Sequence, residues 1–260
     1  MIRRPPRSTL SSSSAASDVY KRQEQPNASM LIIGDELLSG RTQDTNMYYL
    51  ANELTEVGIN LSEARFIRDD TATIVANIVE LSTRFDYLFT SGGIGPTHDD
   101  ITTDCVAQAF GKQVTIRSDA FKILKKYYDE KGIELNEARL RMARIPETAD
   151  LIENSISGAP GYIIENVYVM AGVPKIFKSM LKTLLPNLKK GSPTLSFSVK
   201  LYKGEGDIAL ELEQIVREFS KLNFGSYPFN EKGVHGTNIV IRGKDNKLMI
   251  KAEEKVRTLA

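Results

Sequence analysis

The sequence contains a single cysteine, Cys105, among its 260 residues. One cysteine excludes an intramolecular disulfide framework and metal sites of the CxxC type, and it favours the reducing cytoplasm as the location. No apolar run approaches the roughly 18 to 20 residues that a membrane-spanning helix needs, so we expect no membrane partner. With 41% apolar and 26% charged residues, the chain is expected to form a soluble, globular protein of one or two domains.

The chain also has little excess of charge, with a formal net charge of +1. Its first 23 residues, MIRRPPRSTLSSSSAASDVYKRQ, are rich in basic residues and serine and have no apolar stretch of signal-peptide length. They predict a disordered tail over residues 1–25, and they closely resemble a translated sequencing adapter, so we expect the tail not to be native. Without it the chain is slightly acidic, and bulk charge does not indicate a nucleic-acid partner.

From Ser29 onward, short apolar runs alternate with amphipathic stretches, which predicts strands alternating with helices. The sequence therefore predicts an α/β fold with a doubly wound, mostly parallel sheet over residues 26–190. The predicted strands are 29–34, 59–67, 86–91 and two within 157–177; the predicted helices are 45–58, one starting at Asp70 or Thr71, 102–110, 118–132, 135–146 and one from Pro174 to Leu185.

The segment KKGSP, residues 189–193, is the best candidate for a linker. After it, residues 191–260 predict a smaller α+β domain in the order strand, helix, strand, strand, helix. The last helix pattern continues to Ala260 without a polar or glycine stop, so we expect the carboxyl terminus to be incomplete.

Two turns rich in glycine and acid follow predicted strands: GDELLSG, residues 34–40, and SGGIGPTHDD, residues 91–100. In a doubly wound sheet both turns open at the same edge, where ligands bind. Glycine lets the backbone approach a ligand closely, and successive amide groups form an anion-binding concavity. The pattern predicts phosphate binding by Gly92, Gly93 and Gly95, with the Thr97 hydroxyl as a further donor.

The same turns carry an unusual number of carboxylates, namely Asp35, Glu36, Asp99, Asp100 and Asp104. Because carboxylates repel a bare phosphate, a phosphate site here predicts a divalent metal such as Mg²⁺. We expect Asp35, Glu36 and Asp100 to hold the metal. Asp35, Asp100 and Asp104 are the candidate catalytic acids that orient or deprotonate water.

Asn46 and Asp69 lie at the same predicted edge and are candidates for contacts to a nucleoside. Ordinary structural roles remain open for several of these residues. Acids at a helix start favour the helix dipole, asparagine near a helix start acts as a cap, and GGIG is also a common kind of turn. His98 is as readily an exposed loop residue as a phosphate contact, and Cys105 is expected to be a small buried residue.

Six ordered segments, IGDELLSG, QDTN, SGGIGPTHDDITTD, IPETADLI, SGAPGY and AGVPKIF, together resemble the competence/damage-inducible protein A (CinA) family. The resemblance runs from about Ser29 to Leu185 and concerns a molybdopterin-binding domain of the MoaB/Mog type. The same domain type forms the amino-terminal part of eukaryotic FAD synthases. The chain has MAGVP and PETA where the family usually has LPGVP and PEGA, which alters loop shape without removing an acid.

The resemblance implies a three-layer α/β/α domain, with a KH-like unit behind it. It also implies that the aspartate at the position of Asp100 handles Mg²⁺ and a nucleotide. Relatives bind molybdopterin or its adenylylated form, or hydrolyse ADP-ribose or FAD. A carboxyl-terminal deamidase domain found in longer relatives is not part of this sequence, so deamidation is not expected.

We therefore expect a cytoplasmic, metal-dependent hydrolase that splits an adenylate pyrophosphate such as ADP-ribose or FAD and releases AMP. The alternative is a molybdopterin-binding protein without turnover. The expected partner is a nucleotide or pterin ligand rather than nucleic acid, because the acidic helix of residues 205–218 argues against RNA. From the relatives we expect a homo-oligomer, either a dimer or a trimer.

Overall fold

The computed structural model of the protein describes residues 25–231 and 233–260. The prediction for the tail, residues 1–25, therefore lies outside the described residues except for Gln25. Within these ranges, the structure contains no helix with the length and apolar character needed to span a membrane.

Residues 27–184 form the alternating strands and helices of the first unit. In chain order these are β1 (Asn27–Ile33), α1 (Asp35–Leu38), α2 (Asn46–Glu56), β2 (Asn60–Ile67), α3 (Thr71–Arg84), β3 (Tyr87–Ser91), α4 (Thr102–Phe110), β4 (Val114–Ile116), α5 (Ser118–Glu130), α6 (Glu137–Leu140), β5 (Arg144–Pro146), β6 (Asp150–Ile152), β7 (Gly161–Ile164), β8 (Val167–Met170) and α7 (Pro174–Leu184). Short 3₁₀ turns at Arg141–Ala143 and Leu185–Asn187 follow α6 and α7.

The main sheet has six strands in the order β2-β1-β3-β8-β7-β6. Strands β2, β1, β3 and β8 pair in parallel, whereas β7 pairs antiparallel with both β8 and β6. Successive residues of β1 enter different cores: Met30 packs with α2 and α7, and Leu31 packs with α3, α4 and α5. Helices therefore cover both faces, which confirms the predicted three-layer α/β fold.

The prediction of a helix over residues 135–146 is wrong in its second half. The helix ends at Leu140, and Arg144–Pro146 forms a strand that pairs antiparallel with Val114–Ile116. The apolar spacing of this segment fits a helix, but its backbone groups pair with a strand about thirty residues earlier in the chain. Such a distant pairing leaves no local signal in the sequence.

The second unit comprises β9 (Leu195–Leu201), α8 (Glu205–Glu218), β10 (Asn223–Glu231), β11 (Val234–Gly243) and α9 (Asn246–Arg257). This order of elements is the predicted one. Its sheet has the order β10-β11-β9, with antiparallel pairing throughout. Both helices pack on the strands through one core that includes Val199, Ile239 and Met249.

A network of exposed charges joins β2 to α3. The Arg65 guanidinium contacts both Glu63 and Glu80, and Arg84 contacts the same two acids. Hydrogen bonds from Arg65 and Arg84 lower the pKa of Glu80 from 4.5 to about 2.

We expect the wild type to be more stable than Glu80→Gln at pH 7, because the ionised Glu80 carboxylate binds both arginines in the folded protein. The difference in the free energy of unfolding should vanish as pH falls from about 4.5 to about 2, because the carboxylate then becomes protonated and loses these ion pairs. Urea denaturation of both proteins at several pH values between 7 and 2 measures this; a constant difference would contradict it.

Candidate ligand pocket

The loops that follow β1, β2, β3 and β8 meet at one edge of the main sheet, because these four strands run parallel and lie side by side. Together with the turn at residues 154–159, they enclose a pocket of about 630 Å³. The two acidic, glycine-bearing turns are among these loops. Their predicted meeting at the carboxyl ends of the strands is thus confirmed.

Gly92 and Gly93 form the part of the pocket wall that follows β3. Both have positive φ, at 110° for Gly92 and 68° for Gly93. A Cβ at Gly92 would overlap with the carbonyl oxygen of Ile33, and one at Gly93 would overlap with the hydroxyl oxygen of Thr102. The turn is therefore packed so closely on its neighbours that only glycine fits at both positions. The buried Gly92 amide donates a hydrogen bond of 3.2 Å to the Met170 carbonyl, so the partly exposed Gly93 and Gly95 are the glycines of this turn that offer backbone to a ligand.

Asp100 and Thr97 bind each other across the turn. The Asp100 Oδ2 atom accepts a hydrogen bond of 2.7 Å from the Thr97 amide and one of 2.5 Å from its hydroxyl. A Cβ at Gly95 would lie 2.6 Å from the same oxygen, so glycine makes room for this carboxylate. Asp100 and Gly95 line the pocket, whereas the Thr97 hydroxyl, predicted to bind phosphate, is already engaged by Asp100.

Two of the predicted catalytic acids lie outside the pocket lining and pair with arginine. The Arg68 Nε atom donates a hydrogen bond of 3.0 Å to Asp35. Arg144 donates to both oxygens of Asp104, at 2.6 and 3.1 Å. The catalytic assignments of Asp35 and Asp104 stay predictions. The structure shows that each of these carboxylates is paired with its own arginine.

Asp69 is the acid that follows β2, and it lines the pocket. One of its oxygens accepts a hydrogen bond of 2.9 Å from the Asp35 amide. Burial raises the pKa of Asp69, and the carboxylates of Asp35, Glu36 and Asp99 raise it further, although the Asp35 amide acts in the opposite direction. Asp69, which the sequence predicts to contact a nucleoside, therefore lies within a group of like charges.

Four carboxylates line the pocket, those of Glu36, Asp69, Asp99 and Asp100. In the part of the chain that the structure describes, there is no group of three or more Asp, Glu, His or Cys residues arranged to hold a metal. Mg²⁺ is usually bound by one or two carboxylates, with phosphate oxygens and water as the other ligands. The pocket acids fit that arrangement, with a metal completed by the ligand, better than a site built from protein groups alone.

Asn46 lies below the pocket rather than in its wall. Its side chain is 3% exposed, and its Nδ2 atom donates to Ser91 Oγ at 2.9 Å and to the Gly172 carbonyl at 2.7 Å. The carboxylate of Asp44 accepts from the backbone amides of Asn46 and Met47 at the start of α2. Asp44 therefore caps this helix, and the Asn46 side chain joins the loop after β3 to the loop after β8.

The wall opposite the acids was not predicted residue by residue. Asn154, only 4% exposed, shapes it by accepting hydrogen bonds from the amides of Ile156 and Ser157 and donating to the Ala159 carbonyl. Its other members are largely apolar: Ile94, Tyr128, Met142, Val173, Ile176 and Met180. In the sequence, the SGAP turn of residues 157–160 contributes only to the family resemblance.

Comparison with known proteins gives two consecutive family matches. Residues 29–190 match the family described as probable molybdopterin binding domain, and residues 193–260 match the one described as FAD synthase, middle domain. A protein from Pyrococcus abyssi is 32% identical over 246 residues, which cover 87% of this chain and 94% of that protein. A CinA-like protein from Desulfosudis oleivorans is 36% identical over 180 residues, which cover 67% of this chain and 43% of that protein.

A solved structure agrees with these matches. The crystal structure described as the protein CinA with unknown function, from Thermoplasma acidophilum, is 34% identical with a TM-score of 0.57. The similarity covers 62% of this chain and 98% of that one. The chain belongs to the molybdopterin-binding domain family, as a CinA-type member in which a domain of the FAD synthase middle type follows the MoaB/Mog-type domain.

Proposed function

We propose that the pocket binds an adenylate pyrophosphate such as ADP-ribose or FAD and hydrolyses it, releasing AMP. The observation that carries this proposal is the set of four carboxylates, Glu36, Asp69, Asp99 and Asp100, facing the glycine backbone in one pocket. These acids repel an anionic ligand unless a cation binds with it. The pocket therefore suits chemistry in which phosphates and a divalent cation are held together.

The size and the opposite wall of the pocket support a nucleotide-sized ligand. Its volume of about 630 Å³ lies within the range of roughly 300 to 1,000 Å³ that is typical of small-molecule sites. Ile176, Val173 and Tyr128 offer an apolar surface for a planar ring, while Gly93 and Gly95 present backbone to phosphate oxygens. A ligand with a ring at one end and a pyrophosphate at the other matches both walls.

In the proposed reaction, water attacks one phosphorus atom, a new P–O bond forms, and the bridging P–O bond breaks. The leaving phosphate takes the electron pair, and the products are AMP and ribose 5-phosphate from ADP-ribose, or AMP and FMN from FAD. A bound divalent cation would screen the phosphate charges and polarise a phosphoryl oxygen. Of the pocket acids, Glu36 and Asp100 would hold it, with phosphate oxygens and water as the remaining ligands.

We assign to Asp69 the removal of the proton from the attacking water. A carboxylate whose pKa is raised by burial is a stronger base than an exposed one, and burial, the largest cause of the raised pKa of Asp69, persists when a cation neutralises the neighbouring acids. The Asp35 amide donates a hydrogen bond of 2.9 Å to the Asp69 Oδ2 atom, which fixes the orientation of this carboxylate. After the reaction the proton passes from Asp69 to solvent.

The proposal is tested by incubating the purified protein with ADP-ribose or FAD, with and without Mg²⁺ or Co²⁺, and separating the products by chromatography. We expect AMP to form only when a divalent metal is present, and chelation to stop its release. No AMP from either compound, together with pterin fluorescence that copurifies with the protein, would overturn the hydrolase in favour of molybdopterin binding without turnover.

A further inference from the structure

We propose that Arg141 recognises a phosphate group of the ligand, through a small cavity that adjoins the main pocket. This inference rests on the proposed function only in assuming that the ligand carries phosphate. The cavity is lined by Gly95, Asp100, Arg141, Arg144 and Tyr162, among others. It shares Ile94, Gly95, Asp100 and Met142 with the main pocket, so the two spaces meet at the glycine-rich turn.

The charge of the main pocket favours a cation beside it. Among the described residues that line the main pocket there are four acids and no lysine or arginine. Arg141 and Arg144 line the adjoining cavity, next to the residues that the two spaces share. Anionic ligands in an acidic pocket gain from a fixed guanidinium that contacts their phosphate, in addition to any metal.

The two arginines differ in how they are engaged. Arg144 is committed to Asp104 through two hydrogen bonds. Arg141, in contrast, forms no ion pair and no side-chain hydrogen bond with any other residue in the described ranges, although it is partly buried. Of the pair, Arg141 is therefore the guanidinium available to an anion.

Arg141 is held by well-anchored backbone. It opens the 3₁₀ turn Arg141–Ala143, between α6 and β5. Ala143 in that turn is fully buried, and its carbonyl accepts a hydrogen bond of 3.0 Å from the Arg117 amide. The turn is thus anchored at Ala143, and a ligand meets a guanidinium whose backbone does not have to be ordered on binding.

Tyr162 gives a second, independent indication of an acceptor. The residue lines the small cavity, is 0% exposed, and its hydroxyl forms no hydrogen bond of 3.5 Å or less with any described residue; the Thr103 side chain in the same cavity is the polar group near it. A buried hydroxyl without a partner is costly, and it is satisfied when an oxygen enters. Burial raises the pKa of Tyr162, so the group stays protonated and acts as a donor.

The size of the cavity limits what enters it. Its volume is about 10 Å³, which is about what one water-sized oxygen occupies. The space therefore takes a single phosphoryl oxygen, while the phosphorus atom stays in the main pocket beside Gly95. This arrangement makes Arg141 a residue that distinguishes phosphate-bearing ligands from uncharged nucleosides.

The experiment measures binding of AMP, inorganic pyrophosphate and adenosine by calorimetry, to the wild type and to Arg141→Gln, Arg141→Lys and Arg242→Gln. Arg242 is an exposed arginine of the second unit, so its variant loses the same charge elsewhere. We expect Arg141→Gln to weaken binding of AMP and pyrophosphate at least tenfold and to leave adenosine unchanged. Arg141→Lys should recover part of the loss, and Arg242→Gln should match the wild type.

AMP and pyrophosphate binding by Arg141→Gln within twofold of the wild type would overturn the inference, and so would an equal loss of adenosine binding, which indicates a general change of the pocket. Unchanged thermal unfolding of Arg141→Gln verifies that the variant is folded. Because binding is measured without turnover, a wild type that binds AMP through Arg141 but releases none from ADP-ribose or FAD would refute the hydrolase and leave the phosphate site standing.

Discussion

Replacing Gly92 by alanine is expected to lower the free energy of unfolding by about 3 kcal/mol or more and to abolish ligand binding. Gly92 has a φ of 110°, a region that residues with a Cβ rarely adopt. The added methyl group would overlap with the Ile33 carbonyl, which belongs to the neighbouring strand β1. Gly172 also lies close to this turn, since a Cβ at Gly172 would be 3.2 Å from the Gly92 Cα atom.

Gly111→Ala is the matched control, because Gly111 also has positive φ, at 62°, but a Cβ there meets nothing within 4 Å. Its expected cost is about 1 kcal/mol, from the left-handed backbone alone. Urea denaturation gives the two free energies, and calorimetry with AMP gives the binding. Equal losses of stability in the two variants would show that backbone conformation, and not the close packing on Ile33, makes glycine necessary at position 92.

The second large effect is expected at Asp69, where asparagine should reduce AMP release about 100-fold or more without lowering stability. Asparagine has no carboxylate to take the proton of the attacking water. It keeps an oxygen that accepts the hydrogen bond from the Asp35 amide. It also removes a partly buried negative charge that Asp35, Glu36 and Asp99 repel, so the midpoint of thermal unfolding should stay the same or rise.

Asp150→Asn serves as the control for Asp69, since Asp150 is an exposed aspartate on β6 and does not line the pocket. We expect this variant to keep the wild-type rate of AMP release. A wild-type rate in Asp69→Asn would remove Asp69 from the mechanism. A marked fall in its unfolding temperature would show that the carboxylate stabilises the fold, contrary to the repulsion inferred from its raised pKa.

The sequence was sufficient to predict where the strands end and which turns follow them. Apolar runs bounded by glycine and acid are local signals, and the parallel order of β1, β2 and β3 then brings their ends together. Helix ends were equally local: Asp70 accepts from the Thr73 amide at the start of α3, and Gly111 ends α4 with a left-handed backbone. Each depends on residues within a few positions of one another.

Pairings between distant segments were not predictable in this way. Asp104 and Arg144 lie forty residues apart, and nothing in the sequence indicates that the arginine would engage this acid. For the same reason, the sequence did not predict strand β5, which pairs with β4, or the position of Arg141 beside the glycine-rich turn. The sequence supplied the candidate groups, whereas their counter-charges depended on three-dimensional contacts.

The hydrogen bonds of Asn46 have a kinetic consequence for the pocket. One buried amide nitrogen donates to Ser91 at the end of β3 and to Gly172 in the loop after β8, so separating these two segments leaves its hydrogen bonds unmade inside the protein. Each such loss costs about 1 to 3 kcal/mol, which keeps an opened pocket at a low population. We therefore expect a ligand to bind without moving the end of β3 away from the loop after β8, so that a rearrangement of these segments does not limit the rate of association.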